Sequence, residues 1–203
     1  MRNPFTALGL GLAMILSSST WASELQLPAI LSDHMVVQQG VPLRLWGQDR
    51  PGQEITAGIS GHSAKTKADP SGHWTLTLPA LQAGGPYDLS IQGSETRVIT
   101  DVLVGEVWLG SGQSNMEFAM RATSDQAQEI PKSANPKIRL FTVERAAAGA
   151  PLTALKGSWK ICGPETVPDF SAVAYHFGKQ LQARLKVPVG MIAASWGGTP
   201  AED

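Results

Sequence analysis

The stretch Val102-Leu103-Val104-Gly105-Glu106-Val107-Trp108-Leu109-Gly110-Ser111-Gly112-Gln113-Ser114-Asn115-Met116 decides the reading of this chain. Its first eight residues are mostly apolar, the pattern of a parallel strand buried on both faces. A Gly-Ser-Gly turn follows, and the residues from Asn115 onward suit a helix. Strand, tight turn and helix in that order open an α/β unit, and ligands in such sheets bind at the carboxyl edge of the strands. Ser114 falls at that edge, where unpaired N–H groups of a helix start favour developing negative charge.

Downstream, the same rhythm continues. Ile138 to Val143 reads as a second strand. Asp169 or Ser171 caps a helix running to about Lys186, with an apolar stripe of Ala174, Phe177, Leu181 and Leu185. Val187 to Ala194 reads as a third strand, ending at Trp196-Gly197-Gly198-Thr199. Upstream, from Glu24 to Thr100, the rhythm is different. Leu43-Arg44-Leu45-Trp46, Trp74-Thr75-Leu76-Thr77-Leu78 and Tyr87-Asp88-Leu89-Ser90-Ile91 alternate apolar and polar residues between turn signals, as in an antiparallel β-sandwich. Alternation in these strands places Trp46 and Trp74 in the core.

The N-terminus reads as an address. One basic residue, an apolar run from Phe5 to Leu16, and Ser17 to Ala22 follow the order of a secretory signal peptide cleaved after Ala22. The run is about 12 residues, short of the ~20 that a membrane-spanning helix needs. The organisation expected is therefore a signal peptide at 1–22, a β-sandwich at 23–100 and an α/β domain at 101–203. The single cysteine, Cys162, has no intramolecular disulfide partner and reads as a buried small residue. A net charge of −1 over 203 residues argues against nucleic acid as a partner. No metal-ligand cluster or phosphate-binding loop stands out, so no metal or cofactor is expected.

Gly112-Gln113-Ser114-Asn115-Met116 resembles the nucleophile block of the SGNH-type esterases, in particular the sialate O-acetylesterase-like family. Ser195-Trp196-Gly197-Gly198-Thr199-Pro200-Ala201-Glu202 is similar to the family's second block. Ser32-Asp33-His34-Met35-Val36, Trp46-Gly47, Gly72-His73-Trp74, Gly84-Gly85-Pro86-Tyr87 and Asp169-Phe170-Ser171-Ala172 carry the likeness across residues 25–203. The resemblance implies a flavodoxin-like SGNH hydrolase domain that removes O-acetyl groups from sugars. Ser114 would be the nucleophile, Ser114 N–H with Gly197 and Gly198 the oxyanion-hole candidates, and Gln113 and Asn115 the substrate-binding candidates.

The resemblance also calls for a late Asp-x-x-His block supplying the general base. None of His34, His62, His73 and His176 stands in that pattern. The expectation is a chain holding the N-terminal portion of such an enzyme, with an incomplete α/β domain, inactive by itself. The alternative is an exported, non-catalytic carbohydrate-binding protein, which exposed tryptophans on the sandwich would favour.

Overall fold

The computed structural model describes residues 24–150, 152 and 154–198. The expected signal peptide and its cleavage site lie outside the described residues, as do residues 199–203 of the second block.

The strands are β1 (Val36–Gln38), β2 (Leu43–Gln48), β3 (Glu54–Ile59), β4 (His62–Lys67), β5 (His73–Leu78), β6 (Gly84–Gln92), β7 (Thr96–Gly112), β8 (Asn135–Thr142), β9 (Trp159–Cys162) and β10 (Val189–Ser195). Among them run the one-turn helices α1 (Ser114–Glu117) and α2 (Gln126–Glu129), and the longer α3 (Ala172–Leu185). The fold is mixed α/β around one large sheet, ordered β4-β3-β6-β7-β10-β8-β9, with β1 also paired to β7. Strands β2 and β5 form a separate antiparallel pair.

The 17-residue strand β7 joins the two rhythms of the sequence. Its first part pairs antiparallel with β6, and residues 106–112 pair parallel with β10. The ladder against β6 slips between Tyr87↔Val102 and Leu89↔Ile99, and Asp101 in that gap has a φ of 55°. A bulge there bends the strand as it passes from one part of the sheet to the other.

Two cores flank the sheet. One joins Leu45, Trp74, Leu76 and Leu78 of β2 and β5 to Ile55, Leu89, Ile91 and Val102 of the large sheet, and includes Phe141 and Trp159 from the later strands. The other lies under α3 and holds Ile138, Leu140, Tyr175, Val189, Met191 and Ala193. Thus β8 sends Ile138 and Leu140 to one core and Phe141 to the other, as a strand covered on both faces must.

Several local expectations need correction. The strand register pairs Leu45 with Leu76 and Gly47 with Trp74 on the inward face, so period 2 turns Trp46 outward. Trp74 is buried, but Trp46 is 42% exposed. Helix α3 is capped by Ser171, whose hydroxyl accepts the Ala174 N–H at 3.1 Å. Its buried face is Ala172, Ala174, Tyr175 and Gly178, whereas Phe177 and Leu185 are exposed. The cause is Gly178: a Cβ there would lie 2.6 Å from Met191 Cγ, so the helix turns its bare position toward β10. Residues Val107 to Leu109 are not fully buried either. On the side away from β10, residues 106–112 meet no strand among the described residues, and Leu109 is 65% exposed. Trp108 is exposed too and packs edge-on against Phe177.

Candidate active site

The carboxyl ends of β7, β8 and β10 meet along one edge of the sheet, because all three run parallel. The last rung pairs Ser195 with Gly112, and the ladder continues one step as Trp196 N–H donates to Gly112 O at 3.0 Å. The two sequence blocks singled out above are therefore neighbours, joined by backbone hydrogen bonds.

At the end of β7, Gly112 has a φ of 142°, a region open to glycine and strained for other residues. The chain turns there and enters α1 through Gln113. The helix is a single turn, because Phe118 leaves helical geometry with a ψ of 115°. Ser114 opens it on an exposed position, and its N–H has no acceptor among the described residues. Gln113 and Asn115 are likewise exposed, with no hydrogen bond from their side chains among the described residues.

Gly197 packs directly against the serine. A Cβ at Gly197 would lie 3.5 Å from Ser114 Cα and 3.6 Å from its Cβ. Its N–H, however, is engaged: it donates to Glu117 Oε2 at 2.6 Å. Of the two oxyanion-hole candidates in this turn, Gly197 thus has its amide engaged within the protein. Gly198 follows with a φ of 86°, and its amide has no acceptor among the described residues.

Glu117 also pairs with Arg145, whose guanidinium lies 6.0 Å from the centre of the Trp196 ring. A carboxylate, a guanidinium and an indole thus tie α1, the segment after β8 and the segment after β10 together. Sequence reasoning missed Glu117 and Arg145. For Glu117 a signal existed, its position three residues after Ser114 at a helix start, where acidic side chains are favoured. A cleft of about 310 Å³ lies beside this cluster, lined by Glu117, Arg121, Arg145, Asp169, Ser171 and Ser195. A second, of about 490 Å³, shares Arg145 and Ser195 and extends to Trp46 and Trp196.

No histidine bonds Ser114 among the described residues. His34 Nδ1 lies 2.6 Å from Asp101 Oδ2, and His176 Nε2 lies 3.5 Å from Asp125 Oδ2. Asp101 in turn receives two hydrogen bonds from Arg139, at 2.5 and 3.0 Å. Hydrogen bonds and charge from the Arg139 guanidinium, and to a lesser degree from His34, hold Asp101 below the ordinary carboxylate range. The Ser32-Asp33-His34 block is an anchor of the same kind: Asp33 Oδ1 accepts the Thr100 N–H at 2.7 Å. Cys162 is buried, its S–H donating to Ser133 O at 3.2 Å, and burial pushes its thiol up to about 12. No group of three or more metal-ligating side chains occurs among the described residues.

No family model matches the chain. A sialate O-acetylesterase from Rattus norvegicus is 33% identical over a match covering 78% of this chain and 33% of the relative. The one from Homo sapiens is 29% identical, covering 97% of this chain and 42% of the relative. Among solved structures, a carbohydrate acetylesterase from Xanthomonas citri superposes with a TM-score of 0.86 at 38% identity, over 88% of this chain and 42% of that one. The chain thus spans about a third to two-fifths of the length of the proteins it matches. With these similarities running along most of the chain, the chain belongs to the sialate O-acetylesterase-like family.

Proposed function

We propose that the protein is an exported carbohydrate O-acetylesterase with Ser114 as its nucleophile. The observation that carries this reading is the contact of Ser114 with Gly197 across the carboxyl ends of β7 and β10. It sets an exposed hydroxyl and the amides of Ser114 and Gly198, which meet no acceptor among the described residues, at the sheet edge where ligands bind. The names of the relatives, which act on sialate and carbohydrate acetyl esters, support the substrate class.

In this mechanism Ser114 Oγ attacks the acetyl carbonyl carbon and gives up its proton to a general base. The carbonyl electron pair moves onto oxygen, where the Ser114 and Gly198 amides receive it. Collapse of the tetrahedral intermediate expels the sugar oxygen, which takes the proton from the base. Water then hydrolyses the acetyl-serine to acetate and free enzyme. Gly197 serves by its bare Cα: a Cβ there would lie 2.5 Å from Glu117 Oε2 and displace that carboxylate. The four histidines are placed elsewhere in the fold, so the base in this reading is the family's Asp-x-x-His pair. Residues 1–203 alone are accordingly expected to turn over acetyl esters poorly.

The same reading treats the antiparallel strands of residues 23–100 as a sandwich-like unit attached to an SGNH-type domain. Residues 1–22 act as a cleaved export signal, so the mature N-terminus should be Ser23, which N-terminal sequencing of the secreted product would reveal. The catalytic assignment is tested by a fluorophosphonate probe on the full-length product: adduct mass on the peptide containing Ser114 supports it, and labelling elsewhere rejects it.

The non-catalytic alternative draws on one observation, the exposed Trp46, yet that residue opens onto the same cleft as Ser195 and so fits the esterase reading equally well.

A further inference from the structure

A solvent-exposed tryptophan on an alternating strand needs an occupant or a reason. Trp46 stands on the outward face of β2, opposite Thr75, while Leu43 and Leu45 take the core positions. It is not isolated. It lines the cleft of about 490 Å³ together with Ser195, the last residue of β10, and Trp196, which follows it. Two elements far apart in the sequence therefore build one concave surface. Apolar side chains such as Ile30 and Leu155 line it, with Glu144, Arg145 and Lys156 between them.

That composition has a chemical meaning. A pyranose ring presents an apolar C–H face and an equatorial rim of hydroxyls. The face stacks on a flat aromatic ring, and the rim takes hydrogen bonds from charged side chains. A pure acyl chain or apolar peptide would offer Glu144 and Lys156 no hydrogen-bond partner, and covering them from water would be costly. The cleft shares Arg145 and Ser195 with the smaller cleft, which is lined by Glu117 of the same one-turn helix that Ser114 opens.

We propose that Trp46 is a sugar-stacking platform contributed by the antiparallel unit. It receives a sugar residue of an acetylated oligosaccharide while the acetyl group of the same ligand reaches Ser114. The proposal rests on the acetylesterase reading and deepens it: the substrate has more than one sugar ring, and the β2–β5 pair takes part in recognising it.

The test is isothermal titration of an O-acetylated xylo-oligosaccharide, and separately of an acetylated sialoside oligosaccharide, into the full-length product carrying Ser114→Ala to prevent turnover. Adding Trp46→Ala should weaken Kd for at least one ligand by roughly three- to ten-fold, the scale of an aromatic contact. Trp46→Phe should recover part of it. Trp108→Ala, which removes an exposed indole on another strand, should leave Kd unchanged. Thermal melts of each variant confirm that the fold is intact. Unchanged affinity in Trp46→Ala, equal loss in Trp108→Ala, or no saturable binding of either sugar overturns the proposal. Turnover of 4-nitrophenyl acetate by the Ser114 form and its loss in Ser114→Ala is measured in parallel. If turnover depends on Ser114 but binding ignores Trp46, the platform fails alone; if binding depends on Trp46 but no turnover depends on Ser114, the esterase reading fails.

Discussion

Glu117 Oε2 accepts the N–H of Gly197 at 2.6 Å, joining residues 80 positions apart. The carboxylate lies about one helical turn after Ser114, so the bond ties Gly197 at the end of β10 to the turn that carries the nucleophile. Arg145, paired with the same carboxylate, fixes Glu117 in turn.

Glu117 is therefore a positioning residue. Glu117→Ala should lower kcat on an acetyl ester by about 10- to 100-fold, the scale expected when reacting groups shift by around 1 Å. KM and the melting temperature should change little. Glu117→Gln keeps an acceptor for the Gly197 amide and should recover much of the rate. Equal loss in both variants, or a collapse of thermal stability, would show a different role.

Asp101 offers a test of the fold through pH. Hydrogen bonds from Arg139 hold its carboxyl below the usual 3.8, so its charge favours the folded state at neutral pH. That contribution is present above the unfolded-state pKa and is lost as pH falls through the lower folded value. Arg139 is only 3% exposed, so removing its counter-charge leaves a buried cation. Asp101→Asn, which tolerates the left-handed backbone at this position, should cost about 2–3 kcal/mol at pH 7. Denaturant melts should show that cost shrinking below pH ~4. A difference independent of pH would contradict the account.

Cys162 should be inert. The thiolate is the reactive form, and a thiol pushed up to about 12 is almost wholly protonated at pH 8. The folded protein should resist iodoacetamide at pH 8 while the urea-unfolded chain reacts readily. Comparable rates in the two states would refute the buried placement.

How far these relationships were legible in the sequence depends on how local their causes are. Period 2 located β2, β5 and β6, and Asp169 or Ser171 marked the start of α3, because alternation and capping are written in adjacent residues. The polar strand β4 escaped, as its only apolar residue is Ala64, although Ser60-Gly61 before it carries the left-handed turn of a hairpin, with φ of 50° and 79°. The buried face of α3 escaped too, because Gly178 carries no hydrophobic signal yet decides which side meets β10. Trp46 invites an inward reading by its hydrophobicity, yet strict alternation with Leu43 and Leu45 puts it on the face of Arg44. At the site, Ser114 and the Gly197-Gly198 pair were legible from their blocks. The Glu117–Gly197 bond was not, since it depends on β7 and β10 becoming neighbours.

The central claim is that Ser114 is the nucleophile of a sugar acetylesterase, and acetate release from an O-acetylated oligosaccharide by the full-length product tests it most directly. The account predicts steady acetate release that falls by at least about 1,000-fold in Ser114→Ala, with the fold and sugar binding retained. Acetate release by Ser114→Ala at the rate of the unsubstituted protein would contradict it.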